Sequence, residues 1–139
     1  MMLAAELIME LKVDIGSHQI VGDTALGHLK VIPILGGSFT GPGIRGRIIP
    51  GGADWNSLMG GKIRHVFAKY TLETEDGELI SVENEGYGED SEPKPFIRTV
   101  PRFTVREGST YTHLRSGVFV GSLKKGDGEF VEIQIYKLK

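Results

Sequence analysis

The sequence contains no cysteine, and this absence excludes several kinds of chemistry. Disulfide bonds, thiolate nucleophiles and cysteine-ligated zinc or iron–sulfur sites cannot form without thiols. A cysteine-free chain suits a reducing compartment. The N-terminal segment is interrupted by Glu6 and Glu10 and lacks the basic start of a signal peptide. We therefore expect the protein to be cytoplasmic.

An excess of basic residues and a long apolar run are missing as well. The chain has 16 Lys and Arg residues against 18 Asp and Glu, and its net charge of −2 argues against nucleic acid as a partner. No apolar stretch approaches the roughly 20 residues that span a bilayer, so no membrane partner is expected. With 139 residues, of which 40% are hydrophobic, the sequence predicts one domain over residues 1–139.

Signals for cofactors and metals are equally scarce. The run Gly41-Pro42-Gly43-Ile44-Arg45-Gly46 matches a dinucleotide fingerprint, but a strand-like segment follows where that chemistry needs a helix N-terminus. The four histidines are scattered, and no pair lies two or four residues apart on a shared face. We therefore expect neither a cofactor nor a metal.

Glycine and short alternating segments are what the sequence does have. The 20 glycines are dispersed, as turns between short strands would be. Apolar and polar residues alternate with period two from residue 3 to residue 15, which is typical of a half-buried strand. Asp76-Gly77 is a strong hairpin-turn signal. The predicted strands are 3–15, 26–35, 44–49, 63–75, 79–87, 97–106, 111–122 and 129–138, with a short helical turn at 53–59 that Asp54 could cap.

Short connections between these strands predict the fold class. Parallel pairing would need crossover helices for which the chain has no room, so the strands pair antiparallel. Closure removes exposed strand edges, and the predicted fold is all-β, a single antiparallel β-barrel of about eight strands. A β-sandwich is the alternative. A barrel of this size is either filled by its own side chains or holds one small ligand.

The dipeptide Asp54-Trp55 is the most suggestive functional signal. It follows the turn residues Pro50-Gly51-Gly52, and Trp55 is the only tryptophan. A carboxylate beside an indole at a barrel mouth could have a raised pKa and act as an acid or base. The equally open alternative is a helix cap and an indole that plugs one barrel end.

Charged residues on two later strands allow two interpretations. Arg98 and Arg102 share one face of their strand, and Glu83 and Glu85 share one face of the preceding strand. If the strands pair, opposite charges meet across the ladder. We favour a solvated outer face with weak ion pairs. The functional alternative turns this face inward as a lining for an anionic or carbonyl ligand.

Three blocks of the sequence resemble a known family. They are Gly36-Gly37-Ser38-Phe39, Pro50-Gly51-Gly52-Ala53-Asp54-Trp55 and Arg98-Thr99-Val100-Pro101-Arg102-Phe103. In this order the chain resembles the uncharacterised UPF0311 family, the domain of unknown function DUF3237, over nearly its whole length. The resemblance implies a compact β-barrel with no established activity. It also implies a candidate pocket that contains Asp54, Trp55, Arg98 and Phe103.

The leading hypothesis is a cofactor-independent barrel that binds a small, partly apolar carboxylate or carbonyl compound. Any chemistry is expected to be proton transfer, as in isomerisation, cyclisation or elimination, because no nucleophile or redox signature is present. In this hypothesis Arg98 holds the carboxylate or carbonyl of the ligand. The remaining candidates are Phe39, Trp55, Tyr70 and Phe103 as pocket walls, with Asp54 or Glu83 as the group that moves a proton.

The competing hypothesis is a non-catalytic structural or interaction module. Its barrel would be filled by side chains, and an exposed strand or aromatic rim would mediate self-association. A homo-oligomer, most often a dimer, is the ordinary expectation for such a protein.

Overall fold

Alternating polarity along the chain produces nine antiparallel strands in the computed structural model, which describes residues 1–90 and 96–139. Consecutive strands from the second to the ninth are neighbours in one sheet. In chain order the strands are β1 (Ala5–Ile15), β2 (Gln19–Thr24), β3 (Gly27–Gly41), β4 (Ile44–Met59), β5 (Ile63–Thr74), β6 (Leu79–Glu89), β7 (Phe96–Thr104), β8 (Phe119–Lys125) and β9 (Phe130–Leu138).

Strand β1 closes this sheet into a barrel. Leu11 lies opposite Ile133 of β9 on one side and opposite Phe39 of β3 on the other. Eight strands therefore form a closed ring, and β2 is an extra strand paired with β3. Closure removes the unpaired edges that an open sheet would expose. The predicted all-β fold, an antiparallel barrel of about eight strands, is confirmed.

An apolar core fills one half of the barrel. Leu72, Ile80 and Ile135 are fully buried there, and Leu114 reaches them from a 3₁₀ turn at Thr112–Leu114. The Tyr111 hydroxyl donates a hydrogen bond of 2.7 Å to Asp76 in the β5–β6 hairpin, which ties this segment to the barrel end. We call this end the plugged end. The opposite end, where β4 stops and β5 begins, is the polar end.

The predicted helical turn at 53–59 is wrong, because β4 continues to Met59 and pairs with both β3 and β5. The predicted turn at Pro50-Gly51-Gly52 is a bulge inside this strand, since the pairing with β5 passes from Ile49 directly to Ala53. Gly51 has φ +121°, and a Cβ on Gly52 would lie 2.4 Å from the Lys69 carbonyl oxygen. Pairing on both edges outweighs local propensity, and Asp54 caps no helix.

Two other predicted boundaries also differ, and one strand was not predicted. The strand predicted at 111–122 begins only at Phe119, because the residues before it cross the plugged end and bury Leu114. Strand β2 was not predicted, and five of its six residues are exposed, so no apolar alternation marks it. The strand predicted at 26–35 is the first part of β3, which runs on to Gly41.

Candidate functional site

Polar side chains occupy inward positions at the polar end. The strand register shows which of them are neighbours, because directly opposed residues have Cβ atoms about 5 Å apart. One row of opposed residues across five strands is Lys30, Asn56, Val66, Gly86 and Thr99. The next row, closer to the plugged end, is Ile32, Asp54, Ala68, Asn84 and Pro101.

Three of the inward polar side chains are buried without partners. Tyr70, Asn84 and Thr99 are 3%, 1% and 2% exposed. Within the described residues, no hydrogen bond is made by the Tyr70 hydroxyl, the Thr99 hydroxyl or either polar atom of the Asn84 amide. A buried polar group without a partner costs about 1–3 kcal/mol, so native structures hold few of them. Burial also raises the pKa of Tyr70, assisted by the charge of Asp54, which keeps its hydroxyl protonated.

Asp54 lies beside this cluster. One of its carboxylate oxygens accepts a hydrogen bond of 3.0 Å from the backbone N–H of Phe67, and the other accepts one of 3.2 Å from the Asn56 amide. Burial raises the pKa of Asp54 above its ordinary value of 3.8, although both hydrogen bonds act in the opposite direction. The carboxyl is therefore held in a fixed position and binds a proton more readily than a surface aspartate does.

Two cations lie between this carboxyl and the rim of the polar end. Arg64 donates hydrogen bonds of 2.8 Å to the side-chain oxygen of Asn56 and 2.6 Å to the Asp90 carboxylate, and its side chain is only 17% exposed. Lys30 is partly buried, and its ammonium group makes no hydrogen bond or ion pair with residues 1–90 or 96–139. Burial, and then the charge of Arg64, lower the pKa of Lys30.

The structure divides the seven residues proposed from the sequence into an inner and an outer group. Asp54 and Tyr70 share the interior of the polar end. Phe39 and Phe103 belong to the apolar core, where Phe103 packs edge to face on Phe119 at a ring-centroid distance of 5.2 Å. The outer group consists of Trp55, Glu83 and Arg98.

The outer group lies on the surface of β4, β6 and β7. Trp55 is 46% exposed and stands opposite Phe67, while Glu83 stands opposite Arg102 and forms an ion pair of 3.5 Å with Lys69. Arg98 is exposed and donates to its neighbouring carbonyl and to Ser122. The side of β7 that carries the arginines therefore faces outward, as in the interpretation of a solvated outer face.

Five interior polar residues were not proposed from the sequence, although a signal for them exists. For each of them, at least one of the residues two positions away along the strand is apolar. Asn84 follows Ile80 and Val82 in this way. A polar residue at a strand position where the alternation would place an apolar one thus marks the interior site. The five are Lys30, Asn56, Arg64, Asn84 and Thr99.

The described residues form neither a cluster of metal ligands nor a membrane-spanning helix. Across 1–90 and 96–139, no group of three or more His, Cys, Asp or Glu side chains is placed to hold a metal ion. In the same part of the chain, no helix has the length and apolarity that a bilayer-spanning helix needs.

Comparisons with solved structures extend the fold to other proteins. A crystal structure of the conserved protein RPA1785 from Rhodopseudomonas palustris is 30% identical, with a TM-score of 0.91 over 100% of this chain and 99% of that one. A crystal structure of a beta-barrel like protein, ABAYE2633, from Acinetobacter baumannii AYE is 29% identical, with a TM-score of 0.89 over 100% of this chain and 98% of that one. A crystal structure of an enzyme from Penicillium herquei is 19% identical, with a TM-score of 0.75 over 97% of this chain and 95% of that one. At this identity the likeness is one of fold alone.

Sequence comparisons agree with the resemblance noted above. The UPF0311 protein blr7842 of Bradyrhizobium diazoefficiens is 33% identical over 134 residues, which cover 86% of this chain and 87% of that protein. Residues 3–138 match the family described as "Protein of unknown function (DUF3237)". The chain therefore belongs to the DUF3237 family.

Proposed function

We propose that the polar end of the barrel binds a small, partly apolar carbonyl compound and that Asp54 moves a proton on it. The observation that carries this proposal is the neighbourhood of Asp54. A carboxyl with a raised pKa faces the same interior as three buried polar side chains that lack partners in the described part of the chain. Perturbed carboxyls beside unsatisfied polar groups are more frequent at functional sites than elsewhere.

The arrangement supports proton transfer next to a carbonyl group. Asp54 in its anionic form takes a proton from the carbon beside the carbonyl, and the electron pair of the broken C–H bond moves onto the carbonyl oxygen. The Tyr70 hydroxyl and the Asn84 amide supply donors for that oxygen. Where a carbon–carbon double bond adjoins the abstracted carbon, return of the proton to the far carbon of the dienolate, as the carbonyl re-forms, completes an isomerisation without an oxidant or reductant. A raised carboxyl pKa improves such a base near neutral pH.

Catalysis has a precedent on this fold. The Penicillium herquei protein is an enzyme, and its fold matches this one at 19% identity. Because one fold hosts many activities, that likeness says nothing about substrate. The role of Asp54 rests on the geometry of this chain.

Deuterium exchange tests the proposed proton transfer. Wild-type protein in D₂O should accelerate exchange of the protons beside the carbonyl of at least one of three ketones, 2-tetralone, 4-acetylbenzoate and 4-acetylbenzamide, measured by proton NMR. Asp54→Asn should slow that exchange by at least about 100-fold, the usual contribution of a general base.

A surface aspartate provides the matched control for this experiment. Asp127 is exposed in the β8–β9 hairpin, and Asp127→Asn should exchange the ketones as fast as the wild type. Equal rates for wild type and Asp54→Asn with all three ketones would contradict the proposal.

The raised pKa of Asp54 predicts a pH dependence of stability. As pH rises from the ordinary value of 3.8 through the raised pKa, the unfolded chain loses the Asp54 proton before the folded protein does. The free energy of unfolding of the wild type, relative to Asp54→Asn, should therefore fall over this interval and stay level above it. Urea unfolding of both proteins from about pH 4 to about pH 8 measures this difference. A difference that grows with pH would mean that the pKa is lowered instead.

A second function, self-association, is favoured by the outer face of β4 to β7. Trp55, Tyr87 and Val100 are 46%, 55% and 51% exposed on this face, and Phe67 lies between Trp55 and Glu85 in the register. By contrast, the outer surface of β4 and β5 near the plugged end is covered by ion pairs such as Arg47 with Glu73.

We propose that a second copy of this chain covers this aromatic face. Arginines and glutamates stand side by side around it, with Arg98 and Arg102 on β7 and Glu83 and Glu85 on β6. A two-fold axis through the face would bring the arginines of one copy against the glutamates of the other, a self-complementary arrangement. Exposed aromatics inside a charged rim are typical of such interfaces.

Mass and fluorescence measurements test this dimer together. Light scattering should give twice the chain mass of 15.2 kDa, and Val100→Lys should give the monomer because it adds positive charge beside Arg98 and Arg102. The emission of Trp55, the single tryptophan, should shift to the red on dilution of the wild type. Leu79→Lys, at an exposed site where β6 begins near the plugged end and away from Trp55 and Val100, should stay dimeric. A monomeric wild type at every concentration contradicts the dimer.

A further inference from the structure

Lys30 occupies an unusual position for a charged residue. It shares the inward face of β3 with Ile32 and Ile34, which are 7% and 3% exposed. Lys30 itself is only partly buried, and its ammonium group makes no hydrogen bond or ion pair within residues 1–90 and 96–139. Lys30 therefore adds a partly buried cation to the polar groups of this end that lack partners in the described part of the chain.

The second cation of the polar end is already compensated. Arg64 is fixed between the Asn56 amide and the Asp90 carboxylate by the two hydrogen bonds given above. Asp90 pairs with Arg64, and among residues 1–90 and 96–139 no carboxylate is bonded to the Lys30 ammonium. The ammonium is therefore open to an anionic group of a ligand while Asp54 is in the anionic form that takes the proton.

The register sets the spacing between the lysine and the proton-transfer group. Lys30 stands opposite Asn56, and Asp54 is two residues from Asn56 on the same face of β4. Diagonal neighbours of this kind lie about 7–8 Å apart, with their Cβ atoms somewhat closer. A ligand with one substituted six-membered ring can therefore contact Lys30 with one substituent and Asp54 with the other.

We propose that Lys30 binds a carboxylate on the substrate, so that the site acts on small ring-containing keto acids. This inference rests on the proposed function of Asp54 and specifies its substrate class. Lys30 supplies the charge-assisted hydrogen bond at the rim, and the ring lies against the interior between Lys30 and Asp54. The ketone then points toward Asp54 and the donors of Tyr70 and Asn84.

Two ligands of the same shape test this assignment. 4-Acetylbenzoate carries a carboxylate and a ketone across one ring, and 4-acetylbenzamide replaces the carboxylate by a neutral amide. Binding of each is measured by isothermal titration calorimetry. Wild-type protein should bind the benzoate at least about tenfold more tightly, as a charged hydrogen bond at a partly buried site predicts. Lys30→Met should bind both ligands equally, and Lys30→Arg should keep the preference.

A nearby surface lysine is the matched control. Lys62 is exposed in the β4–β5 turn at the same end, and Lys62→Met changes the net charge of the protein by the same amount as Lys30→Met. It should retain the wild-type preference for the benzoate. Loss of the preference in Lys62→Met as well would mean that the preference comes from the overall electrostatic potential of the barrel end. That result would overturn the role of Lys30.

The outcomes for the two proposals can be told apart. Equal binding of benzoate and benzamide by the wild type overturns the lysine assignment, while exchange that depends on Asp54 would leave the proposed function standing. An unchanged preference in Lys30→Met overturns the assignment as well. If neither ligand binds and no ketone exchanges, both proposals fail.

Discussion

Closure of the barrel by β1 is the constraint on which the rest of the structure depends. Because β1 pairs with β9 and with β3, every strand of the ring has one face toward a shared interior. Side chains two residues apart then remain on the same side along each regular stretch. The closed register is what carries Lys30 and Asp54 into the interior and places Trp55, only one residue away from Asp54, on the outer surface.

The interior is divided between two kinds of environment. Apolar side chains around Leu72 and Ile80 fill the half near the plugged end, and their burial stabilises the fold. At the polar end, Asn84 and Thr99 are as deeply buried as the core but have no partners in the described structure. Such groups reduce stability, which is typical of residues retained for function.

Much of the fold could be predicted from the sequence. The period-two alternation from residue 3 to 15 and the Asp76-Gly77 turn are local signals, and both lead to strands and hairpins in the structure. The path of β4 could not be predicted in this way, because the bulge at Pro50-Gly51-Gly52 resembles a turn. Only pairing with β3 and β5 keeps the strand extended through it, and that pairing is not local in sequence.

The candidate site was less accessible from the sequence for a related reason. Asp54 was proposed from its neighbours, but the same dipeptide placed Trp55 in the pocket, although adjacent strand residues face opposite sides. Arg98 was proposed as the cation of the site because it belongs to a charged strand face. In the structure that face lies outside, and the cations on the inward side are Lys30 and Arg64. Each stands two residues from an inward apolar side chain of its own strand, which is a less obvious pattern in the sequence.

The central claim is that the buried polar groups serve a ligand rather than the fold, and the free energy of unfolding of Thr99→Val tests it most directly. The Thr99 hydroxyl has no partner in the described structure, so its replacement should leave stability unchanged or raise it by about 1 kcal/mol. Thr74 is equally buried but donates to Asp76 and accepts from the Glu78 N–H, so Thr74→Val should lose about 1 kcal/mol or more. A comparable loss in Thr99→Val would show that its hydroxyl is bonded within the fold and would contradict the account.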